Sequence, residues 1–267
     1  MAQADAASLG GPAGPAATGK PTNVRWIVCA LLFFAATINY IDRNVLAVLK
    51  LPLTEEFGWS NTEFGYINFF FQVAYMCGML ASGWLIDKIG TRRGLAIAIF
   101  LWSVAAMLHA EAPIIGNAVQ GAFGALGLTM SASVAGFALC RVLLGVGEAA
   151  IFPGSVRTIA EWFPQRERAL ATGLFNAGTN VGALATPIIV PIIAIRYGWY
   201  WAFVGTGAIG FLWLVVWWWQ YRTPREHPHV NADELALIES DPPDGAAVKV
   251  PGLVLAGIVA AVCFVSG

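Results

Sequence analysis

Charged side chains make up only 12% of these 267 residues, whereas 58% are hydrophobic. Soluble domains are about one-quarter charged, so the chain falls outside that class. Neither sign of charge dominates. A net charge of −1 leaves no basic footprint for nucleic acid. Cysteine is sparse too: Cys29, Cys77, Cys140 and Cys263 stand far apart without a CxxC pair. Each lies in an apolar run, where a free thiol acts as a small hydrophobe. Histidine is scarcer still, and His109, His227 and His229 fall at run ends or in polar segments. No His/Glu spacing suits a metal, and no Ser/His arrangement sits inside the runs. The expectation is a protein that is not an enzyme, with no metal site and no cofactor.

Long apolar runs are what the chain has instead, and its mean hydropathy is +0.67. A membrane span needs roughly 20 mostly apolar residues. Six regions qualify: 24–48, 64–86, 94–109, 131–152, 169–195 and 199–221. The chain therefore reads as an all-α polytopic membrane protein in a lipid bilayer. Residues 1–22 are small, Gly/Pro-rich and without a core-forming group, and are expected to be a disordered cytosolic tail. The first apolar run is too long for the hydrophobic region of a signal peptide. Residues 23–221 form the six-span bundle, 222–250 a cytosolic central loop with a short helix at 233–239, and 251–267 the truncated start of a seventh span. The uncharged stretch 113–130 is read as an outer loop or hairpin packed against protein.

Basic residues set the orientation. With the N-terminus in the cytoplasm, Lys20, Arg25, Lys88, Arg92, Arg93, Arg157, Arg166, Arg168, Arg222, Arg225 and Lys249 all lie inside. The outer loops keep only Lys50 and Arg196, in accord with the preference of Lys and Arg for the cytoplasmic side. A separate span through 113–130 would push Arg157, Arg166 and Arg168 outside. Trp199, Tyr200 and Trp201 mark the outer end of the sixth span, and Trp217, Trp218, Trp219 and Tyr221 its inner end.

Four ionisable residues interrupt the spans: Asp42, Arg43, Arg141 and Glu148. At ~2.5–3.5 kcal/mol each near the bilayer centre, they would cost on the order of 10–14 kcal/mol unpaired. Whole domains are stable by only ~5–15 kcal/mol, so these charges must pair or line a hydrated cavity. Asp42 and Arg43 are neighbours pointing ~100° apart, so each must look to another helix. The fourth span offers one partner of each sign. Arg141 and Glu148 are seven residues apart and share a face, with Gly145 and Gly147 between them. A structural network and a transport site both fit this pattern. In the fifth span, Gly178 and Gly182 have close-packing spacing, while Asn176 and Asn180 can bond a polyol or a neighbouring helix. Tyr40 and Tyr75 can offer a sugar hydroxyls and ring faces, or simply pack.

Between the second and third spans, Gly83-Trp84-Leu85-Ile86-Asp87-Lys88-Ile89-Gly90-Thr91-Arg92-Arg93 matches the pattern G-x-x-x-D-[RK]-x-G-x-[RK]-[RK]. Gly83 is expected to let a helix approach, Gly90 to make a reversal with positive φ, and Asp87 to accept charge-assisted hydrogen bonds. This loop resembles the signature of the major facilitator superfamily. Asn39-Tyr40-Ile41-Asp42-Arg43, Arg141 to Ala149, Glu161 to Ala169, Phe175 to Gly182 and Glu226-His227-Pro228 make the chain similar to the anion:cation symporter branch, and to hexuronate and other sugar-acid transporters within it.

The resemblance implies a six-helix N-terminal half of a twelve-span fold, plus a partial seventh span, with the C-terminal half missing. It implies proton-coupled symport of an anionic sugar acid, hexuronate or aldonate, across the cell (inner) membrane. Asp42 and Glu148 would take the protons. Arg43 and Arg141 would engage the carboxylate, and Tyr40, Tyr75, Asn176 and Asn180 the polyol. Gly83, Asp87, Gly90 and Arg93 would form a conformational latch. A carrier of another organic anion or of a drug, and a nonfunctional truncated half, are the alternatives; charges in the first and fourth spans favour an anion.

Overall fold

A computed structural model describes residues 19–241. Most of the expected 1–22 tail, the end of the 222–250 loop and the 251–267 stub lie outside the described residues. Everything regular among the described residues is helical, and six helical stretches are long and apolar enough to cross a membrane. This is a multi-pass membrane protein.

The first span is α1, Val24–Val48, followed by the short α2, Lys50–Phe57. The second is α3, Asn61–Ile89, opened by a capping box between Ser60 and Glu63. The third begins as α4, Thr91–Leu108. The fourth is α6, Ala132–Glu148, continued after a break by α7, Ile151–Trp162. The fifth and sixth are α8, Gln165–Tyr197, and α9, Trp199–Gln220. After them α10, Ala232–Ile238, forms the expected short loop helix.

The 113–130 stretch refines the sequence reading. Only 126–130 is loop: a 3-10 turn at His109–Glu111 carries the third span into α5, Ala112–Ala125, which forms a helical hairpin with α6 and gives a 35-residue helical stretch. Pro113 sits in the first turn of α5, where its missing N–H costs nothing. Gly116 and Gly136 let α5 and α6 touch backbone to backbone, leaving no room for a Cβ at either position. The helical stretch counts as one span, and the span count stays at six among the described residues. At ~1.5 Å per residue it is ~52 Å long, well beyond a ~30 Å hydrocarbon core.

Helices pair as α1 with α8, α3 with α6 and α4 with α9. Gly178 and Gly182 place α8 directly on α1, since a Cβ at either would meet the carbonyl oxygens of Phe33 and Thr37. Gly145 and Gly147 do the same for α6 on two sides. A Cβ at Gly145 would lie 2.8 Å from the Phe71 carbonyl oxygen, and one at Gly147 would lie 2.7 Å from the Trp102 nitrogen. The small residues of the fourth span therefore serve partner helices.

Buried apolar side chains form two main clusters. One surrounds Leu32, Trp102, Leu144 and Trp162 toward the Val24 end of α1. The other surrounds Leu46, Trp59, Phe137 and Phe203 toward its Val48 end. Along α1 the first cluster stops at Ala36 and the second starts at Val45; along α6 the boundary falls between Cys140 and Leu144. Asp42, Arg43 and Arg141 lie in that gap.

The aromatic reading of the sixth span also needs correction. Trp218 and Trp219 are exposed as an interfacial belt requires, but Trp217 and Tyr221 are fully buried and stacked at 4.1 Å. Trp217 donates to the Arg92 carbonyl and Tyr221 donates to Glu161. Their polar ends are satisfied by protein rather than by water.

Candidate functional site

Arg43 is the centre of the gap between the two clusters. Its Nε donates to Glu148 Oε2 at 2.8 Å, the cross-helix pairing that two adjacent, divergent charges on α1 require. Its guanidinium carbon lies 4.6 Å from the ring centroid of Tyr75, 4.9 Å from that of Tyr40 and 5.4 Å from that of Phe71. Three ring faces thus surround one cation, each attracting it through the ring quadrupole. Phe71 also underlies Arg141, at 5.5 Å. Nothing in the sequence singled out Phe71. Its spacing of four from Tyr75 places both on one face of α3, and the two rings stack at 5.9 Å.

Exposure divides the ion pair. The Arg43 side chain is 18% exposed, whereas Glu148 is completely enclosed and its Oε1 has no hydrogen-bond partner. Arg141, also buried, donates from Nη1 to the Arg43 carbonyl oxygen at 3.0 Å. That bond ties α6 to the backbone of α1 at the residue carrying the cation. Asp42 departs from the expected cross-pairing. Among the described residues it makes no ion pair, neither carboxyl oxygen has a hydrogen-bond partner, and its polar neighbours are Thr206, Arg141 and Glu148. Arg141 is directed at a main-chain carbonyl instead. Asn39, one turn before Asp42, is equally buried and unpartnered.

The structure thus brings together Tyr40, Asp42, Arg43, Tyr75, Arg141 and Glu148. Asn176 and Asn180 stand apart: no hydrogen bond or ring contact joins either amide to the cluster, Asn176 is half-buried and Asn180 exposed. Gly182, two residues past Asn180 and on roughly the opposite side of α8, is the residue that lies against Thr37 and Tyr40, so the glycine face of α8 meets α1 beside the cage.

The loop between α3 and α4 forms a second constellation. Gly90 has φ +82°, which turns the chain between two helices at a conformation open to glycine. Asp87 accepts from Arg157 of α7. Arg157 also donates from Nε to Glu161 at 3.0 Å, and Thr91 and Tyr221 donate to the same carboxylate at 2.9 Å each. Glu161 is the hub of this group, although the sequence reading gave it no role. The close helix approach expected at Gly83 is not found among the described residues; Gly78, one turn and a half earlier, is the residue pressed against Ala149 and Val146. Arg93 is exposed and makes no ion pair among the described residues.

Residues 32–267 match the sequence profile of the Major Facilitator Superfamily. The chain is 35% identical over 221 residues to a probable galactarate/D-glucarate transporter of Bacillus subtilis, covering 83% of this chain and 46% of that protein. It is 33% identical over 225 residues to a D-galactonate transporter of Escherichia coli, covering 84% and 48%, and 30% identical over 215 residues to an E. coli hexuronate transporter, covering 80% and 45%. The chain spans about half the length of these relatives. Its fold matches that of a bacterial homolog of the human lysosomal transporter Spinster in an inward-facing, unoccupied conformation, with TM-score 0.60, 21% identity, and coverage of 86% of this chain and 47% of that one. In its inward-facing, occupied conformation the same homolog gives TM-score 0.59 at 20% identity, covering 77% and 46%. Signature loop, six-helix bundle and sequence profile agree: the chain belongs to the Major Facilitator Superfamily.

Proposed function

We propose that this bundle serves proton-coupled symport of a sugar acid, with the Arg43–Glu148 pair as the switch. The relatives are about twice as long, so the activity is proposed for a transporter in which this bundle works against a second one. The observation that carries the reading is one cation shared between a buried carboxylate and an open side, held over three aromatic faces.

The chemistry follows from that arrangement. Protonation of Glu148 neutralises the carboxylate and releases the Arg43 fork, which can then take a substrate carboxylate bidentately. The rings of Tyr40, Phe71 and Tyr75 hold the guanidinium in place while its partner changes. Loss of the proton restores the ion pair and displaces the anion. Asp42 is the second protonation site in this scheme, because an ionised carboxylate without hydrogen bonds is costly where it lies. Arg141 fixes the α1 backbone beneath Arg43. The hydroxyls of Tyr40 and Tyr75 and the amides of Asn176 and Asn180 suit the hydroxyl groups of a sugar acid. Asp87, Gly90 and Arg93 form the latch, joined by Arg157 and Glu161. The membrane in this reading is the cell (inner) membrane, and the positions of the Lys and Arg residues support an N-terminus in the cytoplasm.

Uptake of labelled glucuronate, galacturonate and galactonate into proteoliposomes, with and without a protonophore, tests the assignment. Accumulation of at least one of them that collapses with the protonophore is expected, and Asp42→Asn should abolish accumulation while sparing exchange of internal for external substrate. Accumulation that ignores the protonophore would remove the coupling mechanism.

A further inference from the structure

The segment after the sixth span supplies the helix caps that two spans lack. Asn23 sits at the N-cap position of α1 without making a capping bond, and Pro164 precedes α8 with no side-chain acceptor at all. The first N–H groups of a helix have no intrahelical partner and must find an acceptor. At α1 that acceptor is Glu234 of α10. Its Oε1 accepts from the Arg25 backbone nitrogen and from Arg25 Nη1, both at 3.1 Å, and its Oε2 accepts from the Val24 nitrogen at 3.2 Å and Thr22 Oγ1 at 2.5 Å. Glu234 is completely buried. Asn231 completes the junction: its side-chain oxygen accepts from the Thr22 and Glu234 nitrogens, and its amide donates to the Lys20 carbonyl.

At α8 the acceptor is Asp241, whose Oδ2 takes the Gln165 backbone N–H at 2.7 Å and lies 3.4 Å from Arg168 Nη2. Arg25 links the two junctions by donating from Nε to Glu167 of α8 at 2.9 Å. Both acids meet the positive end of a helix macrodipole, where a carboxylate is favoured.

We infer that Glu234 and Asp241 are positioning residues: together they clasp the starts of α1 and α8 into one rigid unit, so that the two helices move as a pair during transport. Asp241 lies 76 residues from the Gln165 it caps and Glu234 lies 209 from Arg25, so the clasp closes only when the segment past the last span returns to the bundle. The inference stands on this geometry and does not depend on which substrate is carried.

Two measurements on the whole chain in lipid nanodiscs test it without substrate turnover. Amide exchange at Val24 and Arg25 should accelerate about tenfold or more in Glu234→Ala, and less in Glu234→Gln, which keeps one acceptor oxygen. Asp241→Ala, at the less buried junction, should accelerate exchange at Gln165 and leave Val24 unchanged, which keeps the test open if Glu234→Ala does not fold. Spin labels at Ile27 and Ala169 should report one narrow distance with and without sugar acid, broadened by Glu234→Ala. Unaltered exchange in both alanine variants overturns the capping role. A label distance that shifts with sugar acid in the unmodified chain overturns the rigid pair. The exchange result, and the broadening of the label distance by Glu234→Ala, can be read even if no sugar acid is transported.

Discussion

Replacing Glu148 by glutamine changes a charge and almost nothing else, so it isolates the role of the ion pair. Removing one member of a buried pair ordinarily costs ~3–5 kcal/mol, because the other charge is stranded. Here Arg43 is not stranded. Its side chain is 18% exposed and keeps the faces of Tyr40, Phe71 and Tyr75, each contact worth ~0.5–2 kcal/mol. Glutamine also retains an oxygen that accepts from Arg43 Nε–H. Its new NH2 group then enters the enclosed position where Glu148 Oε1 has no partner, at a penalty of ~1–3 kcal/mol. The net loss of stability should be ~1–2 kcal/mol, small enough for the variant to fold and insert. Function should change far more. If substrate binding requires one proton at Glu148, apparent affinity falls ~tenfold per pH unit once that site has titrated. In Glu148→Gln the guanidinium has a neutral partner at every pH, as it has when Glu148 is protonated, so this dependence should flatten. Substrate counterflow should persist across the pH range while uphill uptake disappears. Substrate affinity measured from pH 5 to 9, paired with proton flux by a pH-sensitive dye, reads both quantities. A variant that still moves protons with substrate, or keeps the original pH dependence of affinity, would refute the switch.

Three further substitutions probe the surrounding architecture. Phe71→Leu removes the ring shared by Arg43 and Arg141 while keeping most of the volume; it should cost ~1 kcal/mol of stability and weaken substrate binding severalfold, measured by titration of purified protein. Gly145→Val forces side-chain atoms into the Phe71 carbonyl and should destabilise by several kcal/mol, about 3 or more, seen as loss of monodisperse protein in detergent. Glu161→Gln weakens the bonds from Arg157, Thr91 and Tyr221 together; it should leave binding affinity nearly unchanged but slow transport, checked by comparing KM with maximal rate.

Span number and the identity of the four intramembrane charges were legible because lipid makes each one conspicuous: an apolar run must be long, and a charge within it must be answered. Pairing of Arg43 with Glu148 followed from the divergence of adjacent side chains. The Asp42–Arg141 pairing did not follow, because main-chain carbonyls compete for an arginine and no residue type announces them. Helix α5 was hidden for a different reason. Its glycines lower intrinsic helicity, and what overrides that preference is backbone contact with α6, which local sequence does not display. Phe71, Glu161 and Glu234 were missed because each has an ordinary alternative role, as core, surface or loop residue. Only the placement of other helices tells which role applies. Trp217 and Tyr221 read as an interfacial belt by position, yet their polar ends found partners inside the protein.

Gly145 and Gly147 have a consequence for how the switch can move. The α6 backbone meets α3 on one side and α4 on the other with no side chain between, and side chains are what usually yield when helices slide. Arg141 and Glu148 are therefore mounted on a part with almost no play. Separation of Glu148 from Arg43 then falls to the α1 side of the pair, either to the flexible stem of Arg43 or to α1 moving together with α8. The carboxylate of the switch is thus the fixed member and the guanidinium the mobile one, a division of labour set by two glycines that touch neither charge.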